Sequence, residues 1–183
     1  MKTVEVSVYQ FSELSESAKE KAISDFRVFD EYSWSQEVLQ SVEDGLEHFG
    51  ASLSDYSIDW NNINCSSWKI SFPEQGELSG VRLWKYLQNN HLTYWNKYQK
   101  KTDELLSGNC PFTGVCFDED FLDNIRKFIK RPDSSTFEDL LEESVWNCFN
   151  AGCKDYEYQQ SDEAITEMIE ANDYEFTEDG ERF

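Results

Sequence analysis

The chain has 183 residues, 39% of them hydrophobic and 15% aromatic, which is enough apolar matter to bury a core and excludes a disordered chain. Its 37 acidic and 16 basic residues give a formal charge of -21, which disfavours direct binding to nucleic acid or anionic membrane and favours basic protein surfaces and cations. No uncharged run approaches the roughly 20 apolar residues of a membrane span, and "MKTVEVSVYQF" lacks the apolar block of a signal peptide, so the expectation is a soluble, cytoplasmic chain.

In chain order, residues 3–11 alternate Val4, Val6 and Val8 with polar neighbours and predict a half-buried strand. The period then changes. Ser15 can cap a helix, Leu14 can staple it, and Ala18, Ala22, Ile23, Phe26 and Phe29 share one face. A second helix fits 34–49, where Trp34, Val38, Val42, Leu46 and Phe49 recur every three or four residues before Gly50. Tyr56, Ile58 and Trp60, then Trp68, Ile70 and Phe72, alternate as two strands, and Asn61-Asn62 between them predicts an antiparallel hairpin.

Ser79 can cap a helix bearing Val81, Trp84, Leu87 and His91, continued by Tyr94, Trp95 and Tyr98, with "KKTDELLSGN" extending it or starting another. "CPFTGVCF" reads as a short strand, and 118–131 as a helix with Phe121, Ile125, Phe128 and Ile129 inward, ended by Pro132. "TFEDLLEESVWNCFNAG" gives a further helix with Gly152 as its stop, followed by a brief strand at Tyr156 and Tyr158. Ser161 caps "DEAITEMIEAN", whose Ile165, Met168 and Ile169 face inward, and "YEFT" adds a last strand, leaving only "EDGERF" to fray. With no linker-like stretch, this pattern predicts one domain over 1–183 of α+β class, mostly antiparallel sheet with helices packed on one face.

Catalytic signatures are thin. The chain lacks GxxxxGK[ST], a GxGxxG after a strand, GxSxG and HExxH. His48 and His91, the only histidines, fit packing or surface roles. Cys110 and Cys116, like Cys148 and Cys153, are spaced too widely for a usual zinc pair, so the five cysteines, including Cys65, read as buried free thiols. Carboxylate pairs such as Asp118 with Asp120 or Glu138 with Glu142 could bind Mg²⁺ or act as acid and base, but among 37 acids such spacings arise freely. No catalytic residue, metal ligand or cofactor is assigned.

The charge pattern carries what functional signal there is. Residues 155–183 hold eleven acidic residues against the single basic Arg182. If this segment is folded, fixed carboxylates can imitate the charge of a nucleic-acid backbone and compete for Lys/Arg grooves. The candidates for the partner-facing surface are Asp162, Glu163, Glu167, Glu170, Asp173, Glu175, Glu178 and Asp179. Two other classes remain open: a toxin-neutralising or regulatory binding module, which would expose aromatics among Trp34, Trp60, Trp68 and Tyr94, and a metal-dependent hydrolase built on carboxylates.

"VYQFSELSESAKEKAISDF" near the start and "DEAITEMIEANDYEFTEDGERF" at the end resemble a family of small, uncharacterised acidic proteins of bacteriophages and prophages, sometimes labelled antitoxin-like. Tyr9 to Ala22 and Asp162 to Phe183 carry the resemblance, whereas a glycine-rich aromatic element of that family is replaced here by "IDWNNINCSSWKISFPEQGELSG". The resemblance implies a bacterial host cell and, with the charge, an inhibitor whose partner is a basic host nucleic-acid-binding or defence protein.

Overall fold

The computed structural model describes residues 7–27, 32–92 and 110–183, which group into two compact units. One is formed by the chain up to Tyr32 together with Asp155–Phe183, the other by Ser33–Lys154. The expected sheet-based α+β architecture is overturned: the described residues are 57% helical and 12% strand. Six α-helices and two separate two-stranded sheets make up the fold among those residues. The strand expected over 3–11 shrinks to β1 (Tyr9–Gln10), because Phe11–Glu13 turns into a 3₁₀ helix; Val4 and Val6 lie outside the described residues, as do Phe29, Tyr94, Trp95, Tyr98 and "KKTDELLSGN" apart from Cys110 beyond it.

In the first unit, α1 (Glu16–Phe26) begins at Ser15, whose hydroxyl accepts the Ala18 N–H at 3.3 Å. The same i to i+3 device starts α6 (Asp162–Ala171), where Ser161 accepts the Ala164 N–H at 3.2 Å. Ala18, Ala22 and Phe26 of α1 pack on Ile165 and Ile169 of α6, with Phe11, Leu14 and Phe176 completing the core. β4 (Glu175–Phe176) pairs antiparallel with β1, placing Tyr9 opposite Phe176. The "EDGERF" end is pinned rather than loose. Arg182 lies 4.0 Å over the Tyr174 ring, which itself stacks on Phe26 at 5.3 Å, and the Phe183 N–H donates to the Glu175 carbonyl at 2.9 Å. Gly180, at φ +84°, lies so close to α1 that a Cβ would stand 2.2 Å from the Ala18 carbonyl oxygen.

In the second unit, α2 (Ser35–His48) packs against α4 (Phe117–Lys130) and β2 (Ser52–Ser57). Val38, Val42, Leu46 and Phe49 are buried, with the Phe49 ring centroid 6.4 Å from that of Phe121 and 6.0 Å from that of Phe137. β2 pairs antiparallel with β3 (Ser67–Ser71), Tyr56 opposite Trp68, with an irregularity between Leu53 and Asp55. The hairpin exists, but Ile58 and Trp60 belong to its long connection, which holds a 3₁₀ turn at Ile63–Cys65 instead of a tight Asn-Asn turn.

In α3 (Gly80–Asn90) the buried residues are Leu83 and Leu87; of the expected face Leu87 is buried, Trp84 and His91 are half-buried, and Val81 is 65% exposed. Of "CPFTGVCF", residues 110–116 are a loop and Phe117 opens α4. The expected stop at Gly152 and the strand at Tyr156 and Tyr158 are replaced by one helix, α5 (Phe137–Gln159). Gly152 is buried there because a Cβ would meet the Trp60 ring at 2.7 Å and Val38 at 3.2 Å; it admits a close approach and ends nothing. No described helix is long and apolar enough to cross a membrane.

All six tryptophans fall in Ser33–Lys154, so tryptophan fluorescence reports that unit while amide exchange reports the other. Gly180→Ala forces both the steric clash and a left-handed alanine, and should destabilise the first unit by about 2 kcal/mol or more. Amide exchange in α1 and α6 should accelerate accordingly; unchanged protection there would show that the tail does not brace α1.

Candidate functional site

The eight candidate carboxylates all lie at the surface of the first unit, and the structure divides them by role. Asp162 forms an ion pair with Arg27, whose Nε also donates to the Gln160 carbonyl at 3.0 Å. Asp179 is 3.5 Å from the Lys21 ammonium, which also binds Glu181 at 3.1 Å. Hydrogen bonding from Thr177 and the nearby Lys21 hold the Asp179 carboxyl below its usual range. These two acids are therefore structural fasteners for the chain end. The other six, Glu163, Glu167, Glu170, Asp173, Glu175 and Glu178, have no ion pair among the described residues.

Three of the six follow directly from helix geometry. Glu163, Glu167 and Glu170 are spaced by four and three residues, which puts them within an arc of about 60° on α6. Ile165 and Ile169 are buried, fixing that acidic arc outward. Asp173 follows one turn later at φ 50°, in the turn that leads to β4. Tyr158 is half-exposed beside the row: the negative charge of Glu167 chiefly, then limited burial, Glu163 and a hydrogen bond to Glu167, push its phenol up.

Among the described residues of this unit the cations are Lys19, Lys21, Arg27 and Arg182, and each is engaged internally. Lys19 pairs with Glu16 at 3.0 Å, Lys21 and Arg27 fasten the chain end, and Arg182 covers Tyr174. The row on α6 thus keeps its negative potential. Sequence periodicity could identify the row but not which acids were already spent on Arg27 and Lys21.

The second unit accounts for the remaining chemical candidates. Asp118 is fully buried, and its carboxylate accepts the N–H groups of Phe112, Thr113 and Gly114 at 2.9, 2.8 and 3.3 Å and the Thr113 hydroxyl at 2.9 Å. It holds the loop before α4 and is not available as an acid–base partner for Asp120. Burial, helped by Asp123 and Glu119, raises the Asp120 carboxyl. No group of three or more His, Cys, Asp or Glu side chains is gathered for a metal ion among the described residues.

The five cysteines are unbridged. Only Cys148 and Cys153 fit the buried-thiol reading; Cys110 is half-buried, and Cys65 and Cys116 are exposed, the last because it starts α4 rather than lying in a strand. Burial pushes the Cys148 thiol well up, and it donates to the Phe117 carbonyl at 3.1 Å. Trp60 and Trp68 pack on Phe149 with centroids 6.2 and 5.3 Å away, leaving Trp34 as the exposed aromatic among the described members of the expected set.

His91 is the one buried polar oddity near the end of α3. Its Nδ1 is 3.1 Å from the His48 carbonyl, which can only accept, so Nδ1 carries the proton and Nε2 presents a lone pair. Nε2 is buried with no hydrogen-bond partner, and the rings of Phe49, Tyr86 and Phe137 surround the imidazole at 5.1 to 6.1 Å. Burial first, and the neighbouring His48 second, lower its pKa from 6.5.

No family model, curated protein or solved structure matches the chain.

Two measurements check these assignments. Asp118→Asn cannot accept all four hydrogen bonds and should destabilise the second unit by about 1.5–3 kcal/mol, read as a lower denaturation midpoint by tryptophan fluorescence. For His91, the unfolded chain takes up the proton more readily than the folded one, so its contribution leaves stability level above about pH 6.5 and lowers it as pH falls below that value. His91→Phe should flatten the fluorescence-detected stability profile between pH 6.5 and the acid limb; identical slopes would remove His91 as the cause.

Proposed function

We propose that the protein is an interaction protein that occupies the basic surface of a nucleic-acid-binding or defence protein, with the row on α6 as its contact. The observation that carries this reading is the outward row Glu163, Glu167, Glu170 and Asp173, left without counter-charges while the cations of the same unit are internally engaged. Folded carboxylates need no ordering on binding, so less entropy opposes association than for a disordered acidic tail.

Glu163, Glu167 and Glu170 span about 10 Å of helix at about 1.5 Å per residue, one charge in about 5 Å, against about 3.4 Å per charge along one DNA strand. That density suits electrostatic steering toward a Lys/Arg groove more than phosphate-by-phosphate replacement. Steering of this kind acts on the rate of encounter and weakens with salt. The resemblance of the two chain ends to phage proteins supplies the context: a bacterial host cytoplasm, and inhibition of a host enzyme that handles nucleic acid.

The test uses the full chain as bait in host lysate, beside a variant carrying Glu163→Gln, Glu167→Gln, Glu170→Gln and Asp173→Asn. The wild type should retain a nucleic-acid-binding protein that is released by added duplex DNA and by salt, and the variant should lose it by tenfold or more in affinity. Binding that the variant keeps, or that ignores both DNA and salt, would overturn the reading.

A further inference from the structure

At the end of α3 the fold seals one polar atom away from water. His91 is the C-cap of that helix, and its imidazole sits where three elements meet: Phe49 and His48 at the end of α2, Tyr86 earlier in α3, and Phe137 at the start of α5, with ring centroids 5.1, 5.8, 5.3 and 6.1 Å away. Nδ1 donates to the His48 carbonyl at 3.1 Å, while Nε2 is buried without a hydrogen-bond partner. The residue as a whole is half-buried. A small movement of the helix end therefore brings Nε2 to water.

Protonation changes what that seal costs. In the neutral ring Nε2 carries only a lone pair; in the imidazolium it carries an N–H and a share of the charge with no acceptor in reach. The groups that face it offer no compensation. Phe49 and Phe137 are uncharged, Tyr86 directs its hydroxyl to the Gln75 amide oxygen at 3.4 Å, and His48 can only add like charge. No carboxylate among the described residues acts on the imidazole. The Nδ1 bond does favour the cation, but burial and then His48 outweigh it and hold the pKa below 6.5. A form with Nε2 exposed binds the proton more readily, so its population grows as pH falls below that ordinary value.

The helix that His91 ends is lightly held. α3 has eleven residues, short of the length at which a helix is stable alone, and its N-cap Ser79 makes no side-chain capping bond. Leu83, Leu87 and the Trp84 indole, which donates to the Ile129 carbonyl at 3.0 Å, anchor its middle. Beyond them the His91 and Leu92 N–H groups both return to the Leu87 carbonyl, at 3.0 and 3.1 Å, and Leu92 is the buried apolar side chain there. α2 and α4 are closer-knit: a Cβ on Gly45 would stand 2.8 Å from the Phe121 ring. We propose that His91 is an acid-released latch: protonation at Nε2 frees the last turn of α3 from His48, Phe49 and Phe137, while the α2–α4 packing of the second unit stays closed.

The test is amide hydrogen exchange of the full chain by NMR at about pH 7.5 and about pH 5.5, expressed as protection factors so that the intrinsic pH dependence of exchange is divided out. The His91 and Leu92 amides should lose protection by about fivefold or more at the lower pH, while the Phe121 and Leu122 amides of α4 keep theirs. The His91 imidazole nitrogens, followed in the same wild-type samples, should titrate over the range in which protection is lost. His91→Phe, which keeps a ring in the site, should hold protection level across that range. Parallel loss at Phe121 and Leu122 would mean global unfolding and overturns the latch. So does protection that stays constant or rises on acidification, as a ring face attracting the imidazolium would produce, or a loss that His91→Phe retains.

Discussion

The close seating of the chain's end on its first helix governs the unit that carries the acidic row. Gly180 lies against the Ala18 carbonyl, Phe176 fills the space between α1 and α6, and Arg182 caps the Phe26–Tyr174 stack. Remove that seating and α6 has one narrow stripe, Ile165, Met168 and Ile169, to hold it. A helix of ten residues is marginal alone in water, so its order comes from packing. The placement of the carboxylates on α6 therefore depends on a glycine and a buried aromatic ring that follow it in the chain.

Electrostatics reinforce the division of labour. Lys21, Arg27 and Arg182 bind residues 155–183 down, which stabilises the unit only modestly, since water screens exposed pairs. Their larger effect is on distribution. By drawing Asp162, Asp179 and Glu181 into fasteners, they leave negative potential concentrated on the α6 arc. The second unit follows a different rule, giving each fully buried polar residue a partner, as with Asp118 in its loop and Asn124 with Ser144, while Glu37 Oε2 is a buried atom without one. His91 departs from it at Nε2, and the aromatic rings around that atom make the neutral imidazole the form the fold accepts.

What could be read from the chain was what neighbours in sequence decide. Caps are contacts across three residues, so Ser15 and Ser161 announced their helices. The 3.6-residue period announced α2, α4 and the outward row of α6. Conversely, α3 admits two stripes, one through Val81 and one through Leu83, and nothing local chooses between them; the neighbouring helices do.

The sheet-based expectation failed for a related reason. Alternating valines and paired tyrosines satisfy a strand over a few residues, but a strand persists only with a partner, and here pairing stops after two residues in β1 and never forms at Tyr156 and Tyr158. Phe149, Cys153 and Tyr156 instead extend the buried stripe of α5, and cooperative propagation carries the helix through Gly152. By itself the sequence determined charge, the capped starts of α1 and α6 and the inward faces of α2, α4 and α6, because these depend on composition and on contacts within one or two helical turns. The tertiary structure alone decided which acids stay unpaired and why Gly152 and Gly180 must be glycines, because each requires atoms that lie dozens of residues apart.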